Sequence, residues 1–81
     1  MEATGGKVGV VGVGRVGQAC AFALVLRGSC RELVLVDRTP ERAVAVATDM
    51  RYGAPLGAPI DIGAGAADTL AGCDVVLITP A

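Results

Sequence analysis

The chain's most distinctive chemical feature is a set of three glycines at a fixed spacing near its start. Residues 12–17 read Gly-Val-Gly-Arg-Val-Gly, directly after the apolar run Lys7–Val11 and directly before a helix-forming segment. In this setting Gly12 permits a tight turn, Gly14 lets a diphosphate approach the backbone, and Gly17 lets the helix pack closely against the strand. The unpaired N–H groups and the dipole of the helix start would then attract the diphosphate.

An acidic residue stands at the end of the next apolar run. Glu32–Asp37 is typical of a second buried strand, and Asp37, which ends it, comes 20 residues after Gly17. A carboxylate at this place can accept hydrogen bonds from the ribose hydroxyls of a nucleotide. The combination predicts a dinucleotide site, the alternative being a plain tight turn between strand and helix. The charge of Asp37 would repel a 2′-phosphate, which favours NAD over NADP, and Arg38 would offset part of that repulsion.

Two arginines flank the predicted site. Arg15 lies on the first helical turn beside the expected diphosphate, where its charge can add attraction. Arg42 lies on the helix after Asp37 and can lean over the adenosine end. For each of them, a solvated charge on a helix surface is the alternative role.

Composition excludes several other kinds of chemistry. The 81 residues include no histidine, so no reaction that needs an imidazole base, acid or metal ligand can run on this chain alone. Three widely spaced cysteines, Cys20, Cys30 and Cys73, argue against a zinc site or disulfide framework and favour a reducing cytoplasm. A net charge of −1 without a basic patch does not indicate nucleic acid or an anionic membrane. The longest apolar run, Ala19–Leu26, is shorter than the ~20 residues of a membrane span.

The rest of the pattern predicts a small α/β domain after a flexible terminus at residues 1–6. The predicted elements are strand 7–11, helix 15–27, strand 32–37, a helix that starts at Pro40 and ends at Gly53 to Pro55, strand 60–62, a helical turn at 66–71 and strand 74–79. Such alternation predicts a parallel sheet with right-handed crossovers. The first helix is apolar on nearly every side, which predicts a second buried face against another helix or subunit. With strand order 3-2-1-4, the fourth strand would be an open edge prone to aggregation.

The second helix carries its own boundary signals. Thr39 can cap its start and Pro40 suits its first position, while Gly53 and Pro55 are typical of its end. The stripe expected to face the core is Ala43, Ala47, Met50 and Ala54.

Taken together, these segments resemble the start of a bacterial L-lactate dehydrogenase. The similar stretches are Lys7–Gly17, Ala19–Ala21, Leu26–Gly28, Glu32–Asp37, Asp49–Gly53 and Ala71–Thr79. The resemblance covers nearly the whole chain, and malate and 2-hydroxyisocaproate dehydrogenases share the same layout. It implies an incomplete Rossmann fold, a doubly wound parallel sheet of about four strands, over residues 7–81.

The resemblance also implies a function. The family reduces pyruvate to lactate with NADH in cytoplasmic glycolysis and forms homotetramers, with the first helix and the Asp49 segment near subunit contacts. By position, Val16, Asp37, Arg42 and the stretch from Thr79 to Ala81 would touch the cofactor. Together with the motif itself, the predicted cofactor-binding residues are Gly12, Val13, Gly14, Arg15, Val16, Gly17, Asp37, Arg42, Thr79 and Ala81.

Four positions, at three places in the chain, depart from the family pattern. Tyr52 replaces a histidine linked to packing, Ala66 replaces a tyrosine that many members carry near the adenine, and Pro80-Ala81 replaces Ala-Gly. The family's catalytic histidine, its aspartate partner, the substrate-binding arginines and the mobile loop all follow the fourth strand. We therefore expect an incomplete dehydrogenase, inactive by itself. The alternatives are a stand-alone NAD- or ADP-binding module and the cofactor half of a malate dehydrogenase or a split enzyme.

Overall fold

A single parallel sheet organises the chain in the computed structural model, which describes residues 6–53 and 60–80. The elements are β1 (Lys7–Val11), α1 (Arg15–Arg27), β2 (Glu32–Val36), α2 (Pro40–Gly53), β3 (Asp61–Ala64), a 3-10 turn (Ala67–Leu70) and β4 (Val75–Ile78). The strands lie in the order β3-β2-β1-β4, and every neighbouring pair is parallel. The predicted alternation and fold class are confirmed, and the strand order is the one in which β4 becomes an edge of the sheet.

The core lies between one face of the sheet and the two helices. Side chains in register on β1, β2 and β3 line that face: Val8, Val10, Leu33, Leu35 and Ile62. Against them pack Ala21 and Val25 of α1 and Ala43, Val46, Ala47 and Met50 of α2. Three of the four residues predicted for the buried stripe of α2 are confirmed, and Ala54 lies outside the described residues.

Helix α1 has the predicted bounds and the predicted end. Gly28 adopts the left-handed conformation with φ +64°, and its amide donates to the Val25 carbonyl at 3.2 Å. Glycine takes this conformation without the steric cost that a Cβ adds, which explains why the helix ends here. On the side away from the sheet, Phe22 and Leu26 remain 40% and 67% exposed. The excess apolar surface predicted from the sequence is therefore present and uncovered in this chain.

The backbone carbonyl of Thr39 accepts the first hydrogen bonds of α2. The Thr39 carbonyl accepts hydrogen bonds from the amides of Arg42 and Ala43, at 3.0 and 3.4 Å. Glu41 lies in the first turn, where its negative charge interacts favourably with the positive end of the helix dipole.

Strand β3 departs most from the predicted bounds. The sequence places it at residues 60–62 and ends it at Gly63, whereas the strand runs Asp61–Ala64. Gly63 pairs with Val34, and Ala64 pairs with Leu35 on β2. A neighbouring strand with free hydrogen-bonding groups extends the ladder through a glycine that local propensity would treat as a stop. Strands β2 and β4 end one residue before the predicted Asp37 and Thr79, and β4 also begins one residue later than predicted.

Strand β4 is one edge of the described sheet, and Val75, Val76 and Ile78 on it are exposed. Across residues 6–53 and 60–80, no helix is long and apolar enough to cross a membrane. The same residues hold no cluster of three or more side chains suited to a metal ion. Predictions that concern residues 1–5, Ala54, Pro55 and Ala81 fall outside the described residues.

Candidate functional site

The glycine loop lies where the carboxyl ends of β1, β2 and β4 meet. The Gly12 amide donates to the Val36 carbonyl at 2.9 Å, and the Thr79 amide donates to the Val11 carbonyl at 2.8 Å. Gly12 has φ +91°, and a Cβ built on it would overlap the Thr79 carbonyl oxygen. Only glycine meets both demands, because it has no Cβ to strain the backbone or to strike the neighbouring strand.

Gly17 brings the first turn of α1 against this loop. A Cβ on Gly17 would overlap the carbonyl oxygen of Gly12 and would lie 3.1 Å from the Thr79 hydroxyl oxygen. Backbone atoms cannot move aside as a flexible side chain can. The helix and the strand therefore approach this closely only because the residue is glycine, as the motif predicts.

The N-terminus of α1 opens towards the same edge of the sheet. Gly14 is the N-cap residue, no side chain caps it, and the first turn contains no acidic residue. The bond from the Gln18 backbone amide to the Gly14 carbonyl, at 2.9 Å, begins the helical ladder, so the amides of residues 15–17 are available to a ligand. Arg15 and Val16 are exposed on this turn. Backbone amides, the helix dipole and the nearby Arg15 charge together favour an anion here.

A side chain that the sequence did not single out supports the loop from inside. The side-chain nitrogen Nε2 of Gln18 donates to the Val13 carbonyl at 3.1 Å. The Val13 side chain is fully buried in the core. Val13 therefore fixes the loop from both its side chain and its carbonyl. A glutamine four residues after a loop glycine is too common a pattern to have indicated this contact.

Asp37 ties the glycine loop to the start of α2. Its Oδ1 accepts a hydrogen bond from the Val13 amide at 2.8 Å, and its Oδ2 accepts one from the Thr39 amide at 3.0 Å. The carboxylate is only 2% exposed, and Nε of the half-exposed Arg42 lies 3.9 Å from Oδ2. The order of residues placed Asp37 at this strand end but did not indicate that two backbone amides would hold it.

These contacts keep Asp37 ionised. The hydrogen bonds from Val13 and then Thr39 lower the pKa of the carboxyl group, and the charges of Arg42 and Arg38 lower it further. Burial opposes the shift because it penalises the charged form, but it does not reverse the direction. An ionised carboxylate at a strand end is a strong acceptor for hydroxyl donors of a ligand.

A cleft of about 430 Å³ opens beside Asp37, at the carboxyl ends of β1, β2 and β3. Its lining residues are Val11, Val36, Asp37, Arg38, Pro40, Val44, Ala64, Gly65, Ala66 and Ala67. Ligands of open parallel sheets bind in this position, outside the carboxyl ends of the strands. The sequence did not indicate Pro40, Val44, Gly65 or Ala67 as site residues, because small apolar residues carry no chemical signal until the fold groups them.

The structure divides the predicted site residues into three groups. The first group joins the glycine loop to α2: Asp37 contacts both Val13 and Arg42. The second group is the close contact of Gly12 and Gly17 with Thr79, the residue that follows β4. Gly14, Arg15 and Val16 stand at the open N-terminus of α1. Ala81 lies outside the described residues.

Comparison with known proteins agrees with this geometry. The family model described as lactate/malate dehydrogenase, NAD binding domain, matches residues 6–81. The chain belongs to this family. The L-lactate dehydrogenase of Deinococcus radiodurans is 53% identical over 73 residues, which cover 90% of this chain and 24% of that protein. The L-lactate dehydrogenase of Thermus aquaticus is 44% identical over 72 residues, which cover 89% of this chain and 23% of that protein.

Solved structures show the same fold. A lactate dehydrogenase from a Medee basin deep-sea metagenome matches with a TM-score of 0.85 and 36% identity, over 93% of this chain and 24% of that one. Lactate dehydrogenase from Eimeria maxima, solved with NADH and oxamate, matches with a TM-score of 0.83 and 26% identity, over 99% of this chain and 25% of that one. The chain spans about a quarter of the length of the curated relatives that it matches.

The residues of this NAD-binding domain fit the cofactor named by its family. The open amides at the start of α1 suit a diphosphate, since nothing in the first turn carries negative charge. The ionised Asp37 suits ribose hydroxyls, and the apolar cleft beside it suits a planar base. The open amides of α1, the ionised Asp37 and the apolar cleft therefore all fit NAD, the cofactor of this family.

Thr79 provides a test of how the NAD-binding loop is held. Its hydroxyl donates to the Gly12 carbonyl at 2.7 Å, which fixes that carbonyl beside Gly17. Thr79→Val removes the donor at nearly constant volume, and we expect it to lower the free energy of unfolding by about 1 kcal/mol. Thr79→Ser keeps the hydroxyl and should lose less than half as much. Urea unfolding measures both variants, and a loss in Thr79→Ser with none in Thr79→Val would show that the methyl group, not the hydrogen bond, is what matters.

Proposed function

We propose that this chain is the cofactor-binding quarter of an NAD-dependent L-lactate dehydrogenase, an enzyme that reduces pyruvate to lactate. The observation that carries the proposal is the 53% identity with the Deinococcus radiodurans enzyme across 90% of the chain. The malate branch of the family is the alternative, because the matching family model covers both branches.

The chain's own residues would bind and orient the cofactor. When bound, the nicotinamide ring supplies the hydride that reduces the substrate. The amides at the start of α1 hold the diphosphate, and Arg15 adds positive charge beside it. Asp37 fixes the ribose, while Arg42 lies beside the carboxylate and balances its charge. No catalytic residue is proposed in this chain, which contains no histidine.

The proposed contacts keep the ten residues predicted from the sequence. They are Gly12, Val13, Gly14, Arg15, Val16, Gly17, Asp37, Arg42, Thr79 and Ala81. The proposed role of Val13, Gly12 and Gly17 is to shape the loop, because their contacts are with the protein itself. The proposed role of Gly14, Arg15 and Val16 is direct contact, because they border the open helix end.

The substrate is tested on the native polypeptide. An antibody against these 81 residues captures it from its source cells, and NADH oxidation is followed with pyruvate and with oxaloacetate. Faster oxidation with pyruvate supports the proposal. Faster oxidation with oxaloacetate assigns the protein to the malate branch instead, and activity with neither contradicts the proposal.

The cofactor role is tested with a chimera in which this chain replaces the matching first quarter of the Deinococcus radiodurans enzyme. We expect the chimera to reduce pyruvate with NADH and to prefer NADH over NADPH by at least about tenfold, because Asp37 repels a 2′-phosphate. Asp37→Ser removes that charge and should shift the preference towards NADPH by at least about tenfold. A chimera with native circular dichroism and no NADH-dependent activity would contradict the cofactor role.

We also propose that the protein works in the cytoplasm as a homo-oligomer, with the outer face of α1 against a second subunit. Support comes from Phe22 and Leu26, which are exposed on that face, and from three cysteines that are free in the structure. We expect Leu26→Glu to weaken subunit association of the chimera at least about tenfold, since it places a charge in an apolar contact. Sedimentation velocity measures this, with Glu41→Gln as the surface control.

A further inference from the structure

The connection from β3 to β4 crosses the sheet on the face opposite to the two helices. Strand β3 ends at Ala64 beside the cleft, whereas β4 begins at Val75 at the other end of the sheet, so residues 65–74 must cross between the two ends. The 3-10 turn lies within this crossing. A Cβ built on Gly9 of β1 would overlap Cδ2 of Leu70. The absence of that Cβ therefore lets the turn lie directly on β1.

Lys7, the first residue of β1, holds the far end of this crossing. Its ammonium group donates to the carbonyl of Thr69 at 2.7 Å and to the carbonyl of Ala71 at 3.0 Å. The backbone of Lys7 is fixed at the same place, because its amide donates to Oδ2 of Asp74 at 2.9 Å and its carbonyl accepts from the Asp74 amide at 2.8 Å. Hydrogen bonds from a cation are stronger than those between neutral groups. The ammonium group of Lys7 therefore ties the turn to the start of β1.

Thr69 connects Lys7 to the wall of the cleft. The amide and the hydroxyl group of Thr69 both donate to the Ala66 carbonyl, at 2.9 and 2.6 Å. A Cβ built on Gly65 would overlap Cγ2 of Thr69, so the Thr69 side chain packs directly against the Gly65 backbone. Residues 64–67 line the cleft. A displacement of Thr69 would therefore displace the backbone of the cleft wall as well.

Lys7 itself does not line the cleft. Strand β1 begins at Lys7 and ends at Val11, and Val11 is the residue of this strand that lines the cleft. Four residue steps along a strand separate the two positions by about 13 Å. An effect of Lys7 on a bound cofactor must therefore act through the turn and the cleft wall.

We propose that Lys7 is a positioning residue for the cofactor: its ammonium group acts through Thr69 to keep residues 64–67 where they contact the adenosine half of NADH. The inference rests on the proposed cofactor function. Loss of the ammonium group would leave the Thr69 and Ala71 carbonyls without this donor and would free the turn to shift. Substitutions along such a chain of contacts change ligand affinity by roughly twofold to thirtyfold.

The first test replaces Lys7 with methionine in the chimera, which keeps an unbranched side chain and removes the ammonium group. We expect KM for NADH to rise at least about fivefold, while kcat and KM for pyruvate stay within about twofold of their original values. AMP, tested as a competitor of NADH, should lose affinity by the same factor, because it contains the adenosine half alone. A KM for NADH within about twofold of the original overturns the inference, and so does an unchanged affinity for AMP.

Arg51→Met is the matched control for Lys7→Met. It also removes a cation that donates to a backbone carbonyl, since Nε of Arg51 donates to the Ile62 carbonyl at 2.7 Å, and neither residue lines the cleft. We expect KM for NADH in this variant to stay within about twofold of the original. A rise equal to that of Lys7→Met would show that general loosening of the domain is the cause, which overturns the inference.

A double-mutant cycle tests the route through Thr69. Thr69→Val removes the hydroxyl group at nearly constant volume, and we expect it to raise KM for NADH at least about fivefold. Because both residues act on the same wall, the double variant with Lys7→Met should stay within about twofold of the weaker single variant. Losses that multiply in the double variant would mean that the two residues act independently, and this outcome overturns the inference.

The two proposals fail in different ways. If the chimera with the original chain does not bind NADH, the cofactor function itself is wrong. If it binds NADH and Lys7→Met binds it equally well, only the inference about Lys7 is wrong. Circular dichroism of each variant separates loss of binding from loss of fold. Thr69→Val, which changes a single hydroxyl group, tests the same wall if Lys7→Met does not fold, and an unchanged KM for NADH in Thr69→Val overturns the inference.

Discussion

Replacing Gly17 with alanine should lower the free energy of unfolding by about 2–4 kcal/mol and remove dinucleotide binding. A Cβ at this position would overlap the carbonyl oxygen of Gly12. That carbonyl is held by the Thr79 hydroxyl, and Gly12 itself adopts φ +91°, so the loop has little freedom to move away. The helix must shift instead, which moves the amides at its N-terminus out of place.

Two effects of this substitution oppose each other. Alanine is a better helix former than glycine by about 1 kcal/mol, so intrinsic propensity alone would make the variant more stable. The clash with fixed backbone atoms costs more, because neither partner is the end of a flexible side chain. The sign of the measured change therefore decides whether packing or propensity dominates at the first turn of α1.

Gly63→Ala is the matched control for Gly17→Ala. A Cβ on Gly63 would meet no atom within 4 Å, and its backbone does not need a positive φ. We expect this variant to change the free energy of unfolding by less than about 0.5 kcal/mol. Urea unfolding and NADH fluorescence titration measure both variants. Equal stability of Gly17→Ala and the original chain would show that the close approach of loop and helix is not required.

Sequence alone predicted the parts of this domain that depend on local chemistry. Conformational limits that act within a few residues predicted the tight turn at Gly12, the bounds of α1 and the end of that helix at Gly28. The order of the strands could be stated only as a condition, because a parallel sheet is assembled from contacts distant in sequence. The same reason explains why β3 runs through Gly63, where its neighbour β2 supplies the hydrogen bonds.

The candidate site shows the same division. Asp37 and the glycine loop carry recognisable residue types, and they could be placed before the fold was known. The cleft is lined mainly by small apolar residues from four separate segments, and the sequence of those segments does not predict that they line one cleft. The bonds from Val13 and Thr39 to Asp37 are equally hidden, since they depend on how the turn after β2 meets the loop after β1.

Asp37→Asn should destabilise the chain by about 1–3 kcal/mol at neutral pH, even without cofactor. The carboxylate accepts one backbone amide on each oxygen. The asparagine side chain has one oxygen and one NH₂ group, so it can satisfy only one amide and turns a donor towards the other. The amide left without an acceptor loses its hydrogen bond, and the loss costs more at the part-buried Val13 amide than at the exposed Thr39 amide.

The effect should depend on pH in a defined direction. The hydrogen bonds from Val13 and Thr39 lower the pKa of Asp37 below its ordinary value of 3.8. A group whose pKa is lower in the folded state contributes stability that is complete above the unfolded pKa and is lost as pH falls through the folded pKa. The gap in stability between the original chain and Asp37→Asn should therefore be constant from pH 7 to about pH 5 and should narrow below about pH 4.

Urea unfolding at a series of pH values measures this gap. Asp49→Asn is the matched control, because it makes the same chemical change at an exposed position of α2. It should change the stability at neutral pH by less than about 0.5 kcal/mol. A gap for Asp37→Asn that does not change between pH 7 and pH 3 would mean that the lost stability does not come from the negative charge of the carboxylate. The charge of Asp37 would then serve the ligand alone, whereas a gap that closes in acid shows that the same charge also holds the empty loop in the shape that receives the diphosphate.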